Sequence, residues 1–306
     1  MLSCDLYLSP TTLAEAFGLM ATHRGRFRLV AGATDTLPWA RPGRAGDVHV
    51  PALIDVTRIA ELSEIRFEGR KVQIGATTPI QRFLDHGPLM RALPCLPGCA
   101  VWFADDQIRE QATVGGNIVN ASPAADTAPA LMVHGFRVEL AACRDGRIAR
   151  RSVALEEFAL GPGQTVLEPD EIMTALTGEA LPDYGGSFEK VGYRRSLVIS
   201  LACLAALVKV SADGRRFDDV RLAVAGVGPV PCRLHAVENG LRGAPIDAAE
   251  LQRCANIPFD LIQSRTRREY RHAVLKGFII RALISAARSV GGRAPALAPK
   301  LEAAYA

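Results

Sequence analysis

No stretch of this 306-residue chain approaches the roughly 18 consecutive apolar residues that a membrane-spanning helix needs, which argues against a membrane span. A secretory leader is not expected either, because Asp5 and Pro10 interrupt the early apolar residues. The chain also lacks a cysteine framework. Its seven cysteines (Cys4, Cys95, Cys99, Cys143, Cys203, Cys232 and Cys254) are odd in number and dispersed, and only Cys95 and Cys99 lie close together. That pattern argues against a zinc or iron–sulfur site within this chain and suggests reduced thiols in a cytoplasmic protein. Strong charge of one sign is missing too. The net charge is +4 and the basic residues are scattered, so no nucleic-acid partner is expected. One local cluster, "RTRREYRH" (265–272), reads as the solvated start of a helix.

What remains is a chain with 49 % hydrophobic residues, enough for a sizeable core, and a length suited to two domains or one large one. The segment "TTLAEAFGLMA" (11–21) predicts a helix, capped by Thr11 or Thr12 and carrying Leu13, Phe17 and Met20 at helical spacing. Strands are predicted at 26–32, 51–57 and 71–78, with a turn at "EGR" before the third. Residues 79–103 read as mostly helical and broken by prolines. A short helix at 126–135 is followed by a strand at 136–143. Further strands are expected at 170–177, 186–193, 200–210 and 219–228, and Asp213-Gly214 signals a hairpin between the last two. In the closing helix, Val274, Leu275, Phe278, Ile279, Ala282 and Ala286 share one face. This order predicts an α+β fold rather than a doubly wound sheet. The Pro/Ala-rich tail, 293–306, reads as loosely held.

Two segments stand out, "AGATD" (31–35) and "TVGGNIVNASPAAD" (113–126), both read as loops. The paired glycines Gly115 and Gly116 have no lysine beside them, so a P-loop is excluded, and their spacing is not that of a dinucleotide fingerprint. Glycine permits close backbone approach, and successive N–H groups can form a nest for an anion. The hydroxyls of Thr34, Thr113 and Ser122 and the Asn117 amide add donors. A pyrophosphate held this way needs no lysine. Taken alone, Gly-Gly before Asn is also a common turn.

Together, "LVAGATDTL" and "ATVGGNIVNASPAAD", with "QIRE" (107–110) upstream and "FALGPGQTVLEPDEI" (158–172) downstream, give the chain a clear resemblance to the FAD-binding (medium) subunits of molybdenum hydroxylases, such as bacterial xanthine dehydrogenase and carbon monoxide dehydrogenase. The resemblance runs from about residue 5 to 292 and looks closest to the xanthine dehydrogenase branch. It implies two α/β subdomains enclosing FAD (the PCMH-type fold, about 1–56 and 57–178), then a C-terminal domain of antiparallel sheet plus helices (179–292).

The resemblance also implies cofactor contacts from Leu29, Val30, Ala31, Gly32, Ala33, Thr34, Asp35 and Thr36, and from Ala112, Thr113, Gly115, Gly116, Asn117 and Val119. It adds Phe103, Ala125, Asp126, Ile172, Met173 and Lys190. Some of these positions have a second reading. Phe103 would equally serve core packing. Asp126 would equally cap the helix that follows. Lys190 would stabilise negative charge on a reduced flavin or simply occupy an exposed strand face. Ala33 departs from the family glycine, and a Cβ costs about 1–2 kcal/mol if φ is positive there. Apolar "SLVIS" (196–200) stands where the family often has an acid, which should make the flavin easier to reduce.

The implied function is electron transfer through FAD, with no catalytic residue and no metal ligand in this chain. Two [2Fe–2S] clusters would belong to a small subunit and a molybdenum-pterin cofactor to a large one, usually in a dimer of heterotrimers. Two other readings are a stand-alone flavin oxidase or reductase, for which His134 is the nearest covalent-attachment candidate, and a non-enzymatic binder of a phosphorylated ligand.

Overall fold

A computed structural model of the chain describes residues 2–39, 48–194 and 197–295, with Trp39 described by its backbone alone. Ser196, in the expected apolar loop, and residues 296–306 of the expected tail lie outside the described residues. The chain divides into two compact units that do not follow chain order. One holds residues 1–82, 104–121 and 136–179; the other holds 83–103, 122–135 and 180–306. The segment 113–126 thus begins in the first unit and ends in the second.

The first unit contains a parallel three-stranded sheet in the order β1 (Leu2–Leu8), β3 (Val48–Asp55), β2 (Phe27–Val30). Helix α1 (Leu13–Thr22) starts where Thr12 Oγ1 accepts the Glu15 amide at 3.1 Å, and it buries Leu13, Ala16, Phe17 and Met20. These side chains form a core with Ile54, Ile59 and Leu62. A second, antiparallel sheet runs β4 (Ile65–Glu68), β5 (Lys71–Gly75), β10 (Glu171–Glu179), β6 (Arg137–Arg144), β7 (Arg147–Ala154). The β4–β5 turn uses Gly69 at φ +59°, as "EGR" predicts. A small hairpin, β8 (Ala159–Gly161) and β9 (Gln164–Thr165), precedes β10.

The second unit is built on an antiparallel sheet, β11 (Gly185–Val191), β12 (Ala202–Val210), β13 (Phe217–Ala225) and β14 (Cys232–Arg233). Helix α2 (Cys95–Val101) packs on β11, and α5 (Thr127–Val133) packs on β12 and β13. The 22-residue helix Arg268–Ser289, α6, covers β11 and β12. Its buried residues include Leu275, Phe278, Ile279, Ala282 and Ala286, the face expected from sequence, with Val274 at its margin. Among the described residues, no helix is long and apolar enough to cross a membrane.

The sequence reading misses β1, whose edge position gives an irregular burial pattern, and β7, which is almost wholly exposed and arginine-rich. β7 lacks the apolar alternation that marks a half-buried strand, whereas β1 carries it, with Leu2, Cys4, Leu6 and Leu8 alternating with Ser3, Asp5 and Tyr7.

Candidate functional site

Strand β2 delivers Leu29 and Val30 to a bend over Ala31–Asp35, after which Thr36 opens a short helix, Thr36–Trp39. Ala33 has φ +53°, so the left-handed conformation for which a glycine is suited is here imposed on an alanine. The amides of Ala31, Gly32, Ala33, Thr34 and Asp35 donate to no protein acceptor among the described residues. Five consecutive unpartnered N–H groups around a left-handed residue have the character of an anion nest.

This bend meets the start of the second segment at one tight point. A Cβ added to Gly32 would lie 1.9 Å from the Gln111 carbonyl oxygen and 3.1 Å from the Ala112 Cα. A further tie runs from Asn120 Nδ2 to Asp35 Oδ2 at 2.8 Å. The backbone that brings Gln111 there is itself held. Helix α3 (Asp106–Gln111) is capped by Asp105 Oδ1, which accepts the Ile108 amide, and buried Arg109 donates from Nε to Gln81 Oε1 at 3.1 Å.

The glycine pair is not a loop, as the sequence reading expects. Thr113 caps a helix, α4 (Val114–Val119), and both glycines lie in its first turn. The amides there are already used. Val114 N donates to Thr78 O, Gly115 N to Ala76 O, Gly116 N to Thr113 Oγ1 and Asn117 N to Thr113 O, at 2.8–3.0 Å. A Cβ on Gly115 would lie 2.6 Å from the Ala76 carbonyl oxygen, so this glycine seats the helix against the chain leaving β5. The free donors belong to the first segment; the second supplies a rigid support for it. Ala112 precedes the cap of this helix and Val119 is its last residue. Ile172 and Met173 sit on β10 and are buried, Ile172 in the core beneath α1.

Phe103, Ala125, Asp126 and Lys190 belong to the second unit. Phe103 is half-buried and Ala125 is buried. Asp126 makes no capping bond to α5. Its carboxylate instead accepts from Lys190 Nζ at 2.6 Å and from Ser200 Oγ at 2.5 Å, and Lys190 also donates to the Trp102 carbonyl at 2.9 Å. The Lys190 side chain is only 2 % exposed, so it does not occupy an exposed strand face. Burial pushes the Asp126 carboxyl up from its ordinary range, against the pull of Lys190. The neighbouring thiols of Cys99 and Cys203 are raised well above theirs by burial and by the Asp126 charge, so both stay protonated. His134, at the end of α5, is buried, and neither ring nitrogen has a partner among the described residues. Burial and the Arg221 charge lower its pKa to about 3, leaving it neutral.

Two family models match the chain. Residues 2–177 match the model of the FAD binding domain in molybdopterin dehydrogenase, and residues 187–286 match that of the CO dehydrogenase flavoprotein C-terminal domain. The chain belongs to the FAD-binding subunits of the molybdenum hydroxylases. Among its relatives, the carbon monoxide dehydrogenase medium chain of Hydrogenophaga pseudoflava is 30 % identical over 286 residues, covering 92 % of this chain and 96 % of that one. The xanthine dehydrogenase FAD-binding subunit of Escherichia coli O157:H7 is 28 % identical, covering 94 % and 97 %. A solved structure of the Hydrogenophaga pseudoflava carbon monoxide dehydrogenase superposes with a TM-score of 0.84 at 26 % identity, covering 94 % of this chain and 98 % of that chain. The subunit is thus a flavoprotein component of an oxidoreductase with an α+β fold. Among its described residues no group of three or more His, Cys, Asp or Glu is placed to hold a metal.

Two outcomes follow for this FAD-binding subunit. Ala33→Gly relieves the left-handed strain and loosens the unfolded chain, for a net gain of about 0.5–1 kcal/mol in urea unfolding. A loss of stability would contradict the strained conformation. Lys190→Met leaves the Asp126 charge buried without its cation, at a cost of about 3–5 kcal/mol near neutral pH. Because the folded Asp126 pKa already lies above its unfolded value, the native state binds the proton more tightly there. Stability from this group is therefore present at low pH and lost as pH rises through the folded pKa. The Lys190→Met penalty should shrink on mild acidification, and a penalty that does not change with pH would contradict the assignment.

Proposed function

We propose that this subunit carries electrons from the [2Fe–2S] clusters of a small partner subunit to an external acceptor, within a complex whose large subunit holds the molybdenum-pterin cofactor and oxidises the substrate. The observation that carries the reading is the row of amides from Ala31 to Asp35 that have no partner among the described residues, in a chain of this family.

When bound, FAD supplies the change between single-electron and two-electron transfer that such a relay requires. The chain's own residues then have physical tasks rather than chemical ones. The amides of Ala31–Asp35 and the Thr34 hydroxyl hold the pyrophosphate, whose negative charge they meet with N–H dipoles already fixed in place. Gly32 keeps that bend against Gln111 and Ala112. Helix α4, seated through Gly115, keeps the supporting backbone rigid. No side chain in this account takes or gives a proton, consistent with a subunit that does not itself turn over the substrate. The remaining expected contacts, Phe103, Ala125, Asp126, Ile172, Met173 and Lys190, belong to the same proposal. So does the domain scheme of a cofactor-binding part to about residue 178 and a C-terminal part from 179 to 292.

The relatives named above include subunits of xanthine and carbon monoxide dehydrogenases, and the complex is proposed to be of that kind, a dimer of heterotrimers in the cytoplasm. All seven cysteines are free, which supports a reducing compartment. Reconstituting the purified chain with FAD and recording its visible spectrum tests the cofactor assignment: protein-bound flavin bands are expected, and their absence would overturn it. Co-purification from native cells with molybdenum and iron analysis tests the partners: both metals should accompany the chain.

A further inference from the structure

We propose that Arg271 is a positioning residue for the flavin, acting through the Pro123–Asp126 end of the signature segment. It lies within "RTRREYRH", whose expected reading was a solvated helix start, yet it is only 8 % exposed. It occupies the first turn of α6. Its Nη1 donates to the carbonyls of both Leu201 and Gly226, the latter at 2.5 Å, and its Nε donates to Thr266 O at 2.9 Å.

The two carbonyls at Nη1 lie where β12 begins and β13 ends, and both connect onward to the signature segment. Gly226 N donates to Pro123 O at 2.7 Å. Ser200, the residue before Leu201, donates to Asp126 Oδ1. One guanidinium therefore fixes the two backbone points from which Pro123 and Asp126 are held. Just before the same helix, the Arg267 guanidinium lies 4.8 Å over the ring of Tyr193, which follows β11.

The electrostatics argue that this arrangement is not incidental. Among the described residues, Arg271 has no carboxylate at ion-pair distance, and Arg267 and Arg268 stand beside it. A cation in the first turn of a 22-residue helix opposes the helix dipole, and burying one without a carboxylate is costly. What the position gains is recognition of several carbonyls by a planar, rigid donor fork, which a lysine cannot reproduce. Arg271 lies four residues before Leu275, on the buried face of the same helical period.

The proposal rests on the reading that this chain binds FAD with Ala125 and Asp126 beside it. The test uses the full chain loaded with FAD, comparing wild type, Arg271→Lys, Arg271→Ala and a control, Arg233→Ala. The control breaks the Arg233–Glu238 pair of the same unit, at 2.8 Å, which ties β14 to the helix that follows it. FAD dissociation constant, visible circular dichroism of the bound flavin and melting temperature are measured on each. Arg271→Ala is expected to weaken FAD about tenfold or more and to change the flavin dichroism. Arg271→Lys should fall between it and wild type, while the control melts earlier with FAD affinity and dichroism unchanged. Arg271 variants that melt earlier but keep wild-type affinity and dichroism would overturn the proposal. If Arg271→Ala does not fold, Arg271→Lys decides it alone by the same criterion. A wild-type chain that binds no FAD overturns the reading underneath, and the proposal with it.

Discussion

The first unit depends on the absence of one carbon atom. At Gly32 the chain leaving β2 passes so close to the Gln111 carbonyl that any side chain would drive the two backbones apart. Contact at this distance cannot be relaxed by a rotamer change, because both partners are main chain. It fixes the bend of Ala31–Asp35 against the run entering α4, and so decides which way five amides without a partner among the described residues face. The strain accepted at Ala33 is understandable in that setting, since the bend is over-determined by its neighbours.

The second unit solves a different problem, the burial of charge. Lys190 and Asp126 form a pair almost free of solvent, completed by Ser200 and by the Trp102 carbonyl. Such a pair contributes little net stability compared with an apolar replacement, but losing one member is expensive, so it specifies geometry. A lysine neutralised in this way does not present a free cation to a cofactor. Its influence is exerted through where it holds Asp126 and the start of α5. Arg271 repeats the principle with carbonyls in place of a carboxylate.

Much of this was legible in the residues. Apolar periodicity located α1, β5, β10, β12 and the buried face of α6, and Gly69 marked its turn. The paired motifs, through the family resemblance they carry, pointed to a diphosphate-binding flavoprotein. What they did not reveal was the division of labour between them. Two glycines in succession disfavour a helix by about 1 kcal/mol each, and only tertiary packing against Ala76 reverses that preference. Thr113, a suitable cap immediately before Val114, was the available signal. The partners of Asp126, and the Leu201 and Gly226 carbonyls that Arg271 holds, lie tens of residues away in sequence, beyond the reach of local pattern. Local charge favoured a cap for the first and a solvated face for the second.

The central claim is that the diphosphate of FAD rests on the main chain of Ala31–Asp35 while the glycine-pair helix acts as its support. A crystal structure of the FAD-loaded subunit tests this most directly. The account predicts pyrophosphate oxygens at about 3 Å from amides of that bend, with the Val114, Gly115, Gly116 and Asn117 amides still bonded within the protein. A diphosphate bound to the α4 amides instead, or bound elsewhere with the bend facing solvent, would contradict it.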